Sequence, residues 1–186
     1  MQLVPIKDIS PEWWALYCSA FPPEERRKHS THEQAMKDAN FHVCKLQEDN
    51  TFVGLLTWWQ WEKLKFIEHF AITAEKRGMG CGHEAMKLLQ KADQDDIILE
   101  IEPVCDERSA RRLAFYQSLG FSELPCAHVQ MAYQPEYPDI PLTLLAYSPF
   151  PDAAPFDRDK IERFELQYTA GPMRYREMHN EERGLQ

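Results

Sequence analysis

The residues best suited to chemistry crowd into one short segment. Gly78, Gly80 and Gly82 fall within five positions, directly after Arg77. The chain has only seven glycines in 186 residues, where average usage near ~7% would give about 13. A glycine-poor chain that groups its glycines in this way is shaping one stretch of backbone. The segment joins a predicted strand to a predicted helix. Backbone N–H groups at a helix start, together with the helix dipole, favour an anion. Glycine lets a phosphate approach without a Cβ in the way, and Arg77 adds a positive charge. A tight turn that only requires positive φ is the plainer alternative. No Gly-Lys-Ser/Thr follows, so this is not a P-loop. The preceding strands read as a meander without an acidic ribose ligand, which fits a dinucleotide fold poorly.

Carboxylates form the second group. On the strand expected over Leu64–Ile72, alternation puts Leu64, Phe66, Glu68, Phe70 and Ile72 on one face and His69 on the other. A carboxylate in an apolar row needs a partner or a raised pKa. Glu68 therefore reads either as a base or as the acidic half of an ion pair with Arg26, Arg27 or Arg111. Glu100 and Glu102 alternate with Leu99 and Ile101 on the next strand. They are further carboxylate candidates, or else a solvated or salt-bridged strand face. His69 and His83 read as structural or surface histidines. The seven histidines show no H-E-x-x-H or similar spacing, so no metal site is expected. Five scattered cysteines without a C-x-x-C pair suggest reduced thiols and a cytoplasmic protein.

The elements that must carry these groups follow from pattern. Ser10-Pro11 starts a helix that runs to about Ala20, and Pro22-Pro23 ends it. Ser30 and Glu33 have capping-box spacing for a second helix to about Ala39. Strands are expected over Phe41–Gln47 and Phe52–Trp61, turning at Glu48-Asp49-Asn50, then over Leu64–Ile72. Helices over Gly80–Ala92 and from Asp106 to Leu119 flank a strand at Ile97–Ile101, and Gly120 closes the second. Strands near Ala127–Tyr133 and Leu142–Tyr147 complete a mixed α/β layer fold. Residues 1–150 read as one domain. Residues 151–186 read as a proline-containing appendage with a helix near Asp157–Tyr168 and loosely held final residues. The net charge of −9 disfavours nucleic acid and anionic membranes as partners, and no apolar run is long enough to span a bilayer.

The Arg77-x-x-Gly80-x-Gly82 signature after I-E-H-F-A-I, and the later D-E-R-S-A-R-R-L-A-F-Y-Q-S-L-G-F, resemble the two motifs of the GCN5-related N-acetyltransferase (GNAT) superfamily. The likeness covers about residues 1–147. The stretches F-P-P-E-E-R-R, L-E-I-E-P and P-L-T-L-L-A resemble an uncharacterised bacterial subgroup. The resemblance implies a largely antiparallel sheet flanked by helices, the acyl-CoA N-acyltransferase-like fold. It implies acetyl-CoA as cosubstrate and direct transfer of acetyl to a primary amine, on a small molecule or a peptide. The coenzyme A pyrophosphate would lie on Arg77, Gly78, Met79, Gly80, Cys81 and Gly82. Its pantetheine arm would run along Phe70, Ala71 and Ile72, in a splay between this strand and Ile97–Ile101. A backbone N–H near Ala71 would face the developing oxyanion. Tyr116 matches the tyrosine that protonates the departing thiolate; for the base, Glu68, Glu100, Glu102 and a water chain are the candidates. The family's glutamate on this strand falls two residues earlier, where this chain has Phe66. An acyl-CoA-binding sensor or an interaction module on the same fold is the alternative, and either a monomer or a homodimer fits.

Overall fold

A computed structural model describes residues 1–150, 156 and 158–175. Strand β1 (Gln2–Pro5) leads into helix α1 (Pro11–Ala20), whose cap Ser10 accepts the Trp13 N–H at 3.3 Å. Helix α2 (His29–Ala35) starts one residue before Ser30 and stops four short of Ala39. Its capping box does not form, because the Glu33 carboxylate lies 3.6 Å from His29 Nδ1. Strands β2 (Phe41–Glu48) and β3 (Thr51–Trp61) make a hairpin. Its two loop residues, Asp49 and Asn50, have φ of 49° and 63°, the left-handed values that match strand twist.

Next come β4 (Leu64–Ile72), α3 (Cys81–Ala92), β5 (Asp96–Ile101) and α4 (Glu107–Gln117). Asp106 and Ser109 cap α4 reciprocally, and Gly120 follows its end at φ 87°. The short strands β6 (Ser122–Glu123) and β7 (His128–Gln130) precede β8 (Ile140–Tyr147). The strand expected near Ala127–Tyr133 is therefore cut to three residues. The chain turns away once the Ala132 N–H bonds the Asp139 carboxylate at 2.9 Å.

The sheet order is β1-β2-β3-β4-β5-β8-β6, with β7 paired to β8. Every pairing is antiparallel except β4 with β5. One face buries α1, α2 and helix α5 (Arg158–Ala170) around Trp13, Tyr17, Trp59, Phe66, Phe164 and Tyr168. The other buries α3 and α4 around Leu56, Ile67, Met86, Leu99 and Tyr116. The final residues, for which the sequence suggests a loose hold, lie beyond Tyr175, outside the described residues.

Two features of β4 create the space for a site. Its parallel ladder with β5 runs from Leu64↔Asp96 to Ile67↔Leu99 and then ends, while both strands continue with their outer neighbours. Buried Lys65, paired with Asp93 and Asp95, fastens the closed end. At that same point the β3 register shifts: Thr57 faces His69 and Trp58 faces Ile67, leaving Glu68 as an extra, bulged residue. A bulge reverses the alternation that follows it. Phe66 and Ala71 consequently share the α1 side, whereas Ile67, Phe70 and Ile72 share the α3 side. The single row expected for Leu64, Phe66, Glu68, Phe70 and Ile72 is broken after Glu68. His69 does not oppose Glu68; it joins the α1 side, ringed by Tyr17 and Phe21.

Candidate active site

The splay opens into a cleft of about 750 Å³, lined by β4 from Ile67 to Ile72, β5 from Leu99 to Ile101, Arg77, Tyr116 and the segment Cys18–Pro23 with Glu25. That is within the range of preformed small-ligand pockets, roughly 300–1,000 Å³. Ile72 and Arg77 line one end of the cleft, and the glycine loop follows Arg77 directly in the chain. Gly78 and Gly80 have φ of 75° and 84°, and among the described residues a Cβ on either would meet nothing within 4 Å beyond its chain neighbours. Gly80 is the left-handed N-cap of α3, and the first bond into that helix runs from Glu84 N–H to Gly80 C=O at 3.1 Å. The N–H groups of Cys81, Gly82 and His83 thus have no carbonyl within the helix. Arg77 lies against the loop, its Nε donating to Ile72 C=O at 3.0 Å. Open backbone donors, left-handed glycines and a guanidinium fit a pyrophosphate. The β4 edge past Ile67, with no strand partner on the β5 side, fits an extended arm that carries amide groups.

Phe70, Ala71 and Ile72 line this edge. Cys81 is buried and packs, and Met79 stands out to solvent at 67% exposure. Tyr116 reaches the cleft from the end of α4. Burial pushes its phenol up to about 12, with Arg112 working against the rise and Glu102 adding to it. It is a neutral proton donor at physiological pH. His83 bonds Ser118 Oγ at 2.8 Å and serves the α3–α4 contact.

The other end is a set of carboxylates. Both Glu68 oxygens are occupied. Arg27 grips them at 2.6 and 2.7 Å, Trp59 Nε1 donates at 3.2 Å and Tyr133 Oη at 2.8 Å. Of the two readings open for Glu68, the geometry contains the ion pair, and Arg27 is the partner among the three arginines considered. Glu102 pairs with Arg112. Glu100 Oε1 lies 2.5 Å from His128 Nε2, and His128 Nδ1 lies 3.1 Å from Glu165 of α5. Burial alone would lower the His128 pKa. Hydrogen bonds and charge from Glu100 and Glu165 outweigh it and lift the imidazole to about 9.

A fourth carboxylate was not singled out from sequence. Glu25 ends a single 3-10 turn, Pro23–Glu25, after α1. Its carbonyl accepts from His69 Nε2 at 2.9 Å, and Gln134 Nε2 donates to Pro23 C=O at 2.9 Å, so β4 and the segment after β7 both fix this turn. Burial raises the Glu25 carboxyl above its ordinary pKa; Glu102, Glu24 and Glu100 add to the rise and Arg112 offsets part of it. The F-P-P-E-E-R-R stretch held this residue, but nothing in its local pattern aims Glu25 at a strand splay some forty residues further along.

The sequence profile of the acetyltransferase (GNAT) family matches residues 7–121. The chain belongs to this family. Among solved structures, it is similar to a GNAT acetyltransferase from Bacteroides thetaiotaomicron, with TM-score 0.81, 25% identity, and 91% of this chain and 97% of that one covered. An aminoglycoside 6'-N-acetyltransferase complexed with coenzyme A shares the fold at TM-score 0.59 and 14% identity, covering 83% and 100% of the two chains. A GNAT acetyltransferase from Elizabethkingia anophelis with acetyl-CoA bound does so at 0.52 and 14%, covering 79% and 97%. No curated protein matches the chain.

Proposed function

We propose that this protein is an acetyl-CoA-dependent N-acetyltransferase that acts on a primary amine. The observation that carries the reading is the joining of two sites in one cleft. An anion-binding loop and unpaired strand edge at one end meet a buried phenol and a set of carboxylates at the other. When bound, acetyl-CoA supplies a thioester carbonyl as electrophile and a thiolate as leaving group. Arg77 and the N–H groups from Gly78 to Gly82 hold its pyrophosphate, and Phe70, Ala71 and Ile72 align the arm.

Proton handling falls to two residues. Glu68, Glu102 and Glu100 are each tied to a basic side chain, while the Glu25 carboxyl has no such bond among the described residues. A carboxyl with a raised pKa is the better base toward an ammonium. Glu25 takes the proton from the incoming amine, and Tyr116 gives one to the departing sulfur. Glu100, held by His128, offers negative charge that attracts the ammonium. Glu68 acts through Arg27 and Tyr133 as a positioning residue, not as the base.

The test is release of free thiol from acetyl-CoA with a panel of primary amines. Turnover is expected above the rate of cofactor hydrolysis, with Glu25→Gln and Tyr116→Phe each lowering kcat by about 10²–10⁴-fold at unchanged acetyl-CoA affinity. Binding of acetyl-CoA without transfer to any amine would replace this reading with a sensor.

A further inference from the structure

The acceptor end holds a buried polar group that nothing among the described residues satisfies. Gln130 sits on β7, two residues beyond His128, and is one of the residues lining the cleft. The residue is 5% exposed, yet its Nε2 has no hydrogen-bond partner among the described residues. An unmet buried amide donor costs roughly 1–3 kcal/mol, so one kept in a native structure calls for a partner. Three residues from three segments line the same cleft: Glu25, Glu100 and Gln130.

We propose that Glu25, Glu100 and Gln130 form an acceptor subsite for a small cationic amine that also bears a hydroxyl or carbonyl oxygen. The inference rests on the N-acetyltransferase reading and deepens it. An ammonium has protons to give and no lone pair, so it suits the two carboxylates and cannot satisfy the amide N–H. That donor needs an oxygen on the same ligand. Gln134, four residues further on and past the end of β7, holds the Glu25 turn through Pro23 and Arg26 carbonyls at 2.9 and 3.4 Å. The segment bearing Gln130 and the turn bearing Glu25 are thereby set at a fixed separation, and the subsite is formed before any acceptor arrives. His128 fixes Glu100 from the same strand as Gln130. A site built to bond an oxygen discriminates strongly against an analogue that lacks it.

The experiment compares 4-amino-1-butanol and β-alaninamide with 1-pentylamine as acceptors, in the wild-type protein and in Gln130→Leu. The oxygen-bearing amines are expected to show kcat/KM at least about tenfold above pentylamine. Gln130→Leu is expected to remove that advantage, with the acetyl-CoA affinity as in the wild type. Equal rates for the three amines in the wild type overturn the subsite and leave the acetyltransferase reading intact, as does a preference that survives in Gln130→Leu. Should no amine be acetylated, that reading fails by itself. The subsite is then decided by the Gln130 side-chain amide resonances, which aminobutanol shifts and pentylamine does not; no shift with either overturns it.

Discussion

At the glycine-loop end of the cleft, the groups proposed to bind the cofactor are main-chain N–H groups of consecutive residues from Gly78 to Gly82, with the Arg77 guanidinium beside them. At the acceptor end the groups are side chains from five separate segments: Glu25 after α1, Glu68 on β4, Glu100 on β5, His128 and Gln130 on β7, and Glu165 on α5. The first end needs only a local conformation, which three glycines and a helix start provide. The second needs the tertiary fold to be complete. A loop of main-chain donors tolerates changes elsewhere in the molecule, whereas a converged set of charges depends on every partner that holds it. Disturbing the acceptor end should therefore alter stability and amine turnover and spare cofactor affinity, and disturbing the loop should do the reverse.

The sharpest way to break that contrast is Arg27→Ala. Both side chains of the Arg27–Glu68 pair are fully buried, and Arg27 also donates to Pro172 C=O at 3.2 Å. Removing one partner strands a buried charge, which costs about 3–5 kcal/mol. Urea denaturation should register a loss of that size. The double variant Arg27→Met with Glu68→Leu, which removes both charges, should recover most of it. In the folded double variant, acetyl-CoA affinity stays at the wild-type level and kcat/KM for the amine falls. An equal loss of cofactor affinity would show that the two ends are not separable.

A middling effect is expected at alkaline pH. His128 is packed between Glu100 of β5 and Glu165 of α5, with the Phe164 and Tyr168 rings against it, and its folded pKa is raised to about 9. Below the unfolded value of roughly 6.5, both states carry the proton and the whole contribution is present. As pH rises from there, the unfolded chain loses its proton first and stability falls, until the contribution is gone above about 9. Discounted for the partial exposure of Glu165, the loss is roughly 2 kcal/mol. Denaturation of wild type against Glu165→Gln across this range isolates it: the gap between them should close as pH rises. A constant gap would mean that the imidazole is not titrating in this window.

The same division decides what could be read from sequence. The conformation of the glycine loop was legible almost residue by residue, because Arg77 to Gly82 are contiguous and their conformational demands are written in residue type. Helix α1 and its Ser10 cap, the Asp49-Asn50 turn, the Asp106 cap and the extent of β4 were legible for the same reason. The bulge at Glu68 was not. No glycine or proline marks it, so strict alternation carried His69 to the wrong side and put Phe70 and Ile72 on the face of Glu68. Choosing Arg27 over its neighbours as the partner of Glu68 needed the tertiary path of the loop after α1. Glu25 and Gln130 show no period or motif, and their meaning comes only from what surrounds them across the cleft.

The smallest effect expected is also the one that tests the loop end alone. Gly80→Ala places a Cβ at a residue with φ 84°, where an L side chain costs roughly 1 kcal/mol. Among the described residues, nothing but its own chain neighbours lies within 4 Å of that Cβ, so no packing is disturbed and the melting temperature should fall by only about 2–4 °C. The open space it enters is where a pyrophosphate would rest against the N–H groups of Cys81 and Gly82. Calorimetric titration should therefore show acetyl-CoA binding about tenfold weaker, equivalent to ~1.4 kcal/mol, with KM for the amine unchanged. If the methyl group leaves cofactor affinity intact, the phosphates do not lie against this loop, and the distinction between a main-chain end and a side-chain end of the cleft falls with it.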